Sequence, residues 1–291
     1  MKIFMRKNIL LCFCLFATMI VAAQKDPSDS LVAKKSYGKL TLEFASNSVY
    51  NGRKDSLVTP YLTPSIGYYD KSGFYIEGSI SYLMHSGNGR IDVYSINAGY
   101  DFTIGNFEGE ISGEKPFYNE NSTNVKSEVK GTLSARAAYD FGFIEPFLEP
   151  GINFNKNSDI TLAAGLEHEF NPDEGPFSIT PSVLFNGSTL NFYQSYFNKR
   201  KFKNLRNNST KVNASVKNAS AFSLLDYEFS LQTQYTTGNF TFTFTPYYTI
   251  PVNPAEVTVV ITPNIGPVRS KTFTEELSNT FYVSLGIDWK F

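Results

Sequence analysis

Every second residue near the end of the chain is large and apolar. Phe281, Val283, Leu285, Ile287, Trp289 and Phe291 alternate with Tyr282, Ser284, Gly286, Asp288 and Lys290. A β-strand throws successive side chains to opposite faces, so this segment has one apolar face and one mostly polar face. The same period of two recurs along most of the chain and is the strongest constraint on what it can become. A sheet of such strands must cover its apolar face with something. No segment shows the roughly 3.6-residue period of a helix that could serve as that cover.

The alternation predicts twelve strands. Leu40, Leu42 and Phe44 oppose Lys39, Thr41 and Glu43; Leu62, Pro64, Ile66 and Tyr68 follow; Phe74, Ile76, Ile80 and Tyr82 oppose Tyr75, Glu77, Ser79 and Ser81. Eight more alternating segments cover residues 94–102, 107–114, 129–141, 144–154, 160–170, 177–185, 225–235 and 240–248. Connections alternate too. Residues 70–73, 103–106, the turn at Gly142, 171–176 and 236–239 are short and polar, whereas 47–60, 85–90, 118–124, 186–218 and 251–278 are longer, with 155–158 the short one among them. Aromatic pairs flank each short turn (Tyr69 and Phe74, Phe102 and Phe107, Phe141 and Phe143, Phe170 and Phe177, Tyr235 and Phe240) and predict a belt at one membrane level. Pro64, Pro146, Pro150, Pro181 and Pro246 fall inside these strands and are expected at bulges or strand ends. Val257 to Ile261 reads as an additional strand and residues 190–197 as another pairing segment, so ten or fourteen strands are the alternatives.

The segment that ends at Phe291 resembles the closing strand of bacterial outer-membrane β-barrels, whose terminal aromatic is read by the insertion machinery. The resemblance implies an all-β, transmembrane, antiparallel up-and-down barrel over residues 38–291, in the outer membrane of a Gram-negative bacterium. Backbone groups unpaired in hydrocarbon cost several kcal/mol each, so a spanning sheet has to close. Short turns would face the periplasm and long loops the outside, with both termini periplasmic. Lys2, Arg6 and Lys7, an apolar run from Ile9 to Val21 and the small residues before Gln24 predict a signal peptide over 1–23, followed by a periplasmic lead-in over 24–37. Cys12 and Cys14 lie within that signal, which would leave the mature chain without a thiol, a disulfide or a cysteine metal site.

Candidates for chemistry are few. His85 and Ser86 open a stretch, His-Ser-Gly-Asn-Gly-Arg, that resembles the His-x-Ser-Asn-Gly segment of outer-membrane phospholipase A. That family's serine stands two residues after its histidine, where this chain has Gly87. Ser86, being adjacent, would point to the opposite face from His85, and nucleophile and base must share a face. His168 falls on the apolar parity beside the aromatic belt. No phosphate-binding glycine loop or metal-type His/Cys cluster is present in the sequence, so no cofactor and no enzyme activity is expected.

Charge placement is more telling. Glu43, Glu77, Asp101, Glu108, Glu110, Glu114, Asp140, Glu145, Glu149, Glu167, Glu169, Asp226, Glu228 and Asp288 fall on the polar parity, against Lys39, Lys130, Arg136 and Lys290. An interior so acidic predicts a passive pore for small cationic or neutral solutes. The alternative is a structural or surface-interaction barrel whose outer loops bind; a lipid hydrolase at His85 and Ser86 is the third reading. The loop 186–218 carries Lys199, Arg200, Lys201, Lys203 and Arg206 with Phe192, Tyr193, Tyr196, Phe197 and Phe202. It is expected to fold inward over the acidic lumen rather than clamp lipopolysaccharide phosphates. The partners implied are outer-membrane lipid and lipopolysaccharide, the insertion machinery and small solutes, with no nucleic acid.

Overall fold

A computed structural model describes residues 35–55, 58–85, 87, 89–172, 175–202 and 210–291. The expected signal peptide, most of the lead-in, Ser86, Lys203 and Arg206 lie outside the described residues. Among the described residues seventeen strands run in chain order: β1 Tyr37–Ala45, β2 Val49–Tyr50, β3 Arg53–Lys54, β4 Tyr61–Tyr69, β5 Phe74–Leu83, β6 Arg90–Ile104, β7 Phe107–Tyr118, β8 Gly131–Tyr139, β9 Glu145–Phe154, β10 Asp159–Glu167, β11 Phe177–Ser188, β12 Thr210–Val216, β13 Ser223–Thr237, β14 Phe240–Pro251, β15 Glu256–Pro263, β16 Arg269–Thr274 and β17 Thr280–Lys290. Twelve of them close into an antiparallel barrel in the order β1-β17-β14-β13-β11-β10-β9-β8-β7-β6-β5-β4, and β4 pairs with β1. All twelve segments marked by alternation are barrel strands. The number is twelve because β15, the extra strand around Val257 to Ile261, pairs with β12 and β16 in a separate three-stranded sheet.

The seam shows how closure is achieved. Leu40 stands opposite Trp289 on one side and Ile66 on the other, so β1 is saturated by β17 and β4. Beyond the last pair, Gly38 and Phe291 exchange two backbone hydrogen bonds, N to O, of 2.8 and 2.9 Å. The Phe291 ring lies over Gly38 so closely that a Cβ there would meet the ring within 2.5 Å. A glycine at this position lets the aromatic cover the seam.

The apolar parity points outward all round the barrel: Ile66, Phe74, Ile96, Leu148 and Phe281 are each more than half exposed. A closed wall with such an exterior suits hydrocarbon, and no helix among the described residues is long and apolar enough to cross a membrane. The belt at the short-turn rim is formed by Phe74, Phe141, Phe143, Phe170, Phe177, Tyr235 and Phe240, all exposed. Tyr69 does not join it. Its hydroxyl donates to Glu77 at 2.8 Å on the inner face, where Tyr37, Tyr69 and Tyr75 stack in sequence with centroid spacings of 5.0 and 5.5 Å.

Three prolines correct the expectation of bulges or ends. Pro64, Pro150 and Pro246 each fall where one ladder skips two pairs and resumes in the same register, as between Leu62 opposite Tyr82 and Ser65 opposite Ser79. The missing N–H is absorbed by a gap, and the register shifts lie elsewhere, at Asn186/Gly187 and Ser81/Tyr82. Pro146, second in β9, is near a strand end as expected. Residues 190–197 contribute a helix, α1 Asn191–Tyr196, instead of a strand, and a π-turn Phe197–Lys201 continues it. Fewer than two turns leave too short a run for a helical period to be read.

If Phe291 closes the seam, deleting it should lower the folded fraction after refolding into micelles well below that of Phe143→Ala, which removes another exposed aromatic from the same rim. Unboiled and boiled samples on a denaturing gel measure that fraction; equal losses would make Phe291 an ordinary belt residue.

Candidate functional site

The polar parity lines the lumen, and its accessibility changes along the axis. The side chains of Lys39, Glu77, Arg136, Glu145, Glu167 and Glu114 are 22–31% exposed although they lie inside a closed wall. Water therefore reaches them. Hydroxyls bind many of the acids: Tyr75 donates to Glu110, Ser95 to Glu114, Thr41 to Asp288, and both Tyr282 and Thr249 to Glu228. Arg136 is the main internal cation, 2.6 Å from Glu167 and 3.5 Å from Glu145, with its guanidinium 3.8 Å from the Phe147 ring centroid. Neutral donors satisfy lone pairs without cancelling charge, so the inner wall keeps its acidic character.

Several of the expected lining acids sit at or past the rim. Asp101 and Glu108 are exposed near the short-turn mouth, on the inward parity. Asp140 and Glu169 lie beyond the ends of β8 and β10. The Asp140 carboxylate accepts from the Gly142 N–H and shapes the turn, because a strand end frees the side chain to cap the reversal. Glu43, on the inward parity, is exposed, Glu149 is half-buried on the inner wall, and Asp226 is buried at the long-loop end, bonded to Asn186.

The opposite end is dry. Here the long loops fold together around a hydrophobic core of Val125, Val129, Leu190, Phe192, Tyr193, Tyr196, Phe197, Val212, Ala214, Val216, Ala219, Leu225, Ala255, Val257 and Val259. Burying each large side chain contributes about 1.5–3 kcal/mol against the entropy lost in ordering loop backbone. The β2–β3 hairpin crosses the mouth. It leaves β1 and returns to β4, yet the Tyr50 hydroxyl accepts from Asn153 on β9, six places round the ring from β1. Lys54 at the other end of the hairpin donates to Thr280 of β17 at 2.8 Å. The hairpin turn is Asn51-Gly52, both with positive φ (48° and 70°), which only such residues adopt cheaply.

Arg53 is the hub of this cap. Fully buried, it donates to the carbonyls of Asn51, Leu225 and Asn253 at 2.8–3.0 Å and to Val252 at 3.3 Å, with Glu275 at 3.4 Å. Glu275 also takes the Tyr193 hydroxyl, and burial with that carboxylate alongside pushes the Tyr193 phenol upward. Helix α1 has Leu190 at its N-cap, which has no side chain to offer, so the wall caps it instead: Asp159 accepts from the N–H groups of Asn191 and Phe192 at 2.7 and 2.8 Å. Asp92, equally buried, gathers Tyr61, Arg90 and Ser122 at the end of β6.

The aromatic part of the basic loop packs into the cap core, but the described charges Lys199 and Arg200 do not meet the lumen acids. Lys199 and Arg200 both bind Glu128, at 2.7 and 2.8 Å, in the 3₁₀ turn Val125–Glu128 of the neighbouring loop, and Lys201 is exposed. The cation that does reach down is Lys126 of that turn, 3.1 Å from Glu114 and 5.5 Å from the Tyr50 ring centroid. Burial alone would lower its pKa; the Glu114 carboxylate reverses this and holds the ammonium protonated. His85 lies just past β5, and no cluster of three or more metal-ligating side chains occurs among the described residues.

These features define a twelve-stranded transmembrane barrel of the outer-membrane type, with a folded cap on its long-loop end. No protein-family model matches the sequence, and no curated protein matches it either. Among solved structures the chain is similar to "KdgM porin" (10% identity, TM-score 0.45, covering 87% of this chain and 99% of that one) and to a NanC porin (8%, 0.48, 87% and 100%). It is also similar to Salmonella typhi OmpF in complex with daunomycin (10%, 0.32, 88% and 97%). At such scores the architecture rests on this chain's own strand pairing.

Replacing Arg53 by Met should take the shared donor from the Asn51, Leu225, Val252 and Asn253 carbonyls and the cation from Glu275, at a cost of about 3 kcal/mol or more to the cap. Limited proteolysis of the long loops should accelerate on the order of a hundredfold, while the unboiled gel mobility of the barrel stays unchanged. Slow cleavage like that of the wild type would remove Arg53 from the centre of the cap.

Proposed function

We propose that this protein is an outer-membrane conduit for small cationic or neutral solutes that stands closed, its cap acting as the gate. The observation that carries the reading is the gradient along the axis: lumen acids remain about a quarter exposed, whereas Asp92, Asp159, Phe192 and Leu225 at the other end are fully buried. A ring of twelve lies between eight-stranded barrels filled by side chains and the 16–18-stranded ones that hold an aqueous channel. Its lumen admits water but not an unobstructed stream of large solutes. Low-dielectric walls focus the field of the acids, which favours cations. Short turns at the periplasmic side and the cap outside fit the usual asymmetry of such barrels. The cap itself supports the second reading, a surface-interaction barrel, because a folded unit offers a fixed binding surface where mobile loops would not.

Planar-bilayer recordings separate the two. Wild-type protein should show rare, small openings. Deleting residues 49–54 should raise mean conductance severalfold with reversal potentials on the cation side, and adding Glu77→Gln, Glu110→Gln and Glu114→Gln should reduce that preference. A hairpin deletion that stays silent would favour the surface-interaction reading; anion preference would contradict the acidic lumen as the selecting element.

A further inference from the structure

The three-stranded sheet of the cap has one face turned to the core and one to solvent. On β12 the inner positions are Val212, Ala214 and Val216, and on β15 their partners are Ile261, Val259 and Val257. The next strand continues the row opposite these with Arg269, Lys271 and Phe273. Two cations thus occupy the apolar face of a sheet whose outer face (Ser270, Thr272, Thr274, with Thr258 and Thr272 sharing a hydrogen bond) is already polar. Pattern alone would place aliphatic residues there. Neither Arg269 nor Lys271 has a hydrogen bond or ion pair among the described residues.

Both border a cleft of about 730 Å³ between this sheet and the helical segment that ends at Lys201, with Phe202 just beyond it. Phe202, Ile261 and Phe273 line it and are partly exposed; Phe197 stacks on Phe202 at 5.7 Å and meets Phe273 edge-on at 6.3 Å, which fixes the aromatic wall. Of the acids that line it, Glu275 is bound by Arg53 and Tyr193 and Asp55 by Tyr196, while Glu276 is exposed; against these stand Arg53, Lys54, Lys201, Arg269 and Lys271, so bases outnumber acids around the cleft. The volume is that of a small-molecule pocket, and an aromatic and aliphatic wall stands beside charged side chains among which bases predominate.

We propose that this cleft binds an amphipathic anion, its compact apolar or aromatic body against Phe202, Ile261 and Phe273, and its carboxylate or phosphate held by Arg269 and Lys271. A guanidinium fork beside an ammonium suits either head group. A soluble organic acid and the phosphate end of a glycolipid share this chemistry. The proposal rests on the cap alone and does not depend on whether the barrel conducts.

The test uses full-length mature protein in nanodiscs of zwitterionic lipid, titrated with 4-phenylbutyrate, with 4-phenylbutylamine as the cationic counterpart, and read by saturation-transfer NMR and calorimetry. The carboxylate should bind in preference to the amine. Arg269→Gln with Lys271→Gln should weaken it about tenfold or more, as expected for loss of charge-assisted hydrogen bonds, and Phe202→Ala should weaken both probes. The two charge substitutions are on exposed side chains, and unboiled gel mobility checks that each variant is folded. Displacement by added lipopolysaccharide would support the site with a lipid phosphate as its occupant; displacement failing while the carboxylate still binds would support it with a soluble acid. No binding to the wild type, equal binding of acid and amine, or unchanged affinity in the double variant would overturn it.

Discussion

The pairing of β1 with both β4 and β17 is the interaction from which the remaining structure follows. Hydrocarbon offers no partner to a backbone amide, so a strand with one open edge would be costlier there than in water. Once the ring is closed, alternation has only one consistent outcome: the apolar parity goes to lipid and the polar parity to the lumen. That is why Glu43, Glu77 and Glu110 lie inside without any individual interaction having drawn them there. The partners of Glu77, Glu110, Glu114 and Glu228 are then what other inward positions supply, chiefly tyrosine, serine and threonine hydroxyls.

Closure also creates an aperture that the wall cannot fill. The long loops fill it by doing what a small soluble domain does, gathering apolar residues from distant parts of the chain around Phe192, Leu225 and Val257. Loops that met at their tips alone would have too little buried surface to repay their ordering. The ties to the wall matter for this reason. Asp159 caps α1, Asn153 holds Tyr50, and Arg53 binds carbonyls at the start of β13 and just beyond β14. Each uses a group whose backbone position is already fixed by the barrel, so less entropy is lost per contact. The lumen is narrowed by the same cross-mouth hairpin that organises the cap.

The barrel was legible in the sequence because a period of two repeated twelve times leaves little freedom in register or face. The cap was far less so. Asp92 and Asp159 stand at strand ends, where alternation has nothing to alternate with, and their importance depends on which loop folds over them. Arg53 follows an Asn-Gly pair that does signal a two-residue hairpin turn, but nothing local says that the hairpin crosses to the opposite wall. Helix α1 is too short for a period. The aromatic residues of the 190–197 segment pack into the cap, yet Lys199 and Arg200 pair with Glu128, a residue on another loop, and charge counting over the lumen alone does not find that partner. The position of Tyr69 beside a turn points to the belt, whereas its parity places it inside.

The central claim is that the long loops form one folded unit across the mouth. Hydrogen–deuterium exchange of the protein in nanodiscs tests it most directly, because exchange reports the free energy of opening segment by segment. The amides of α1 and β15 should be protected for hours, approaching those of β13 and β14, and should lose that protection together when Arg53 is replaced by Met. Exchange of both segments within seconds in the wild type, alongside a protected barrel, would contradict the folded cap and leave an open barrel with mobile loops.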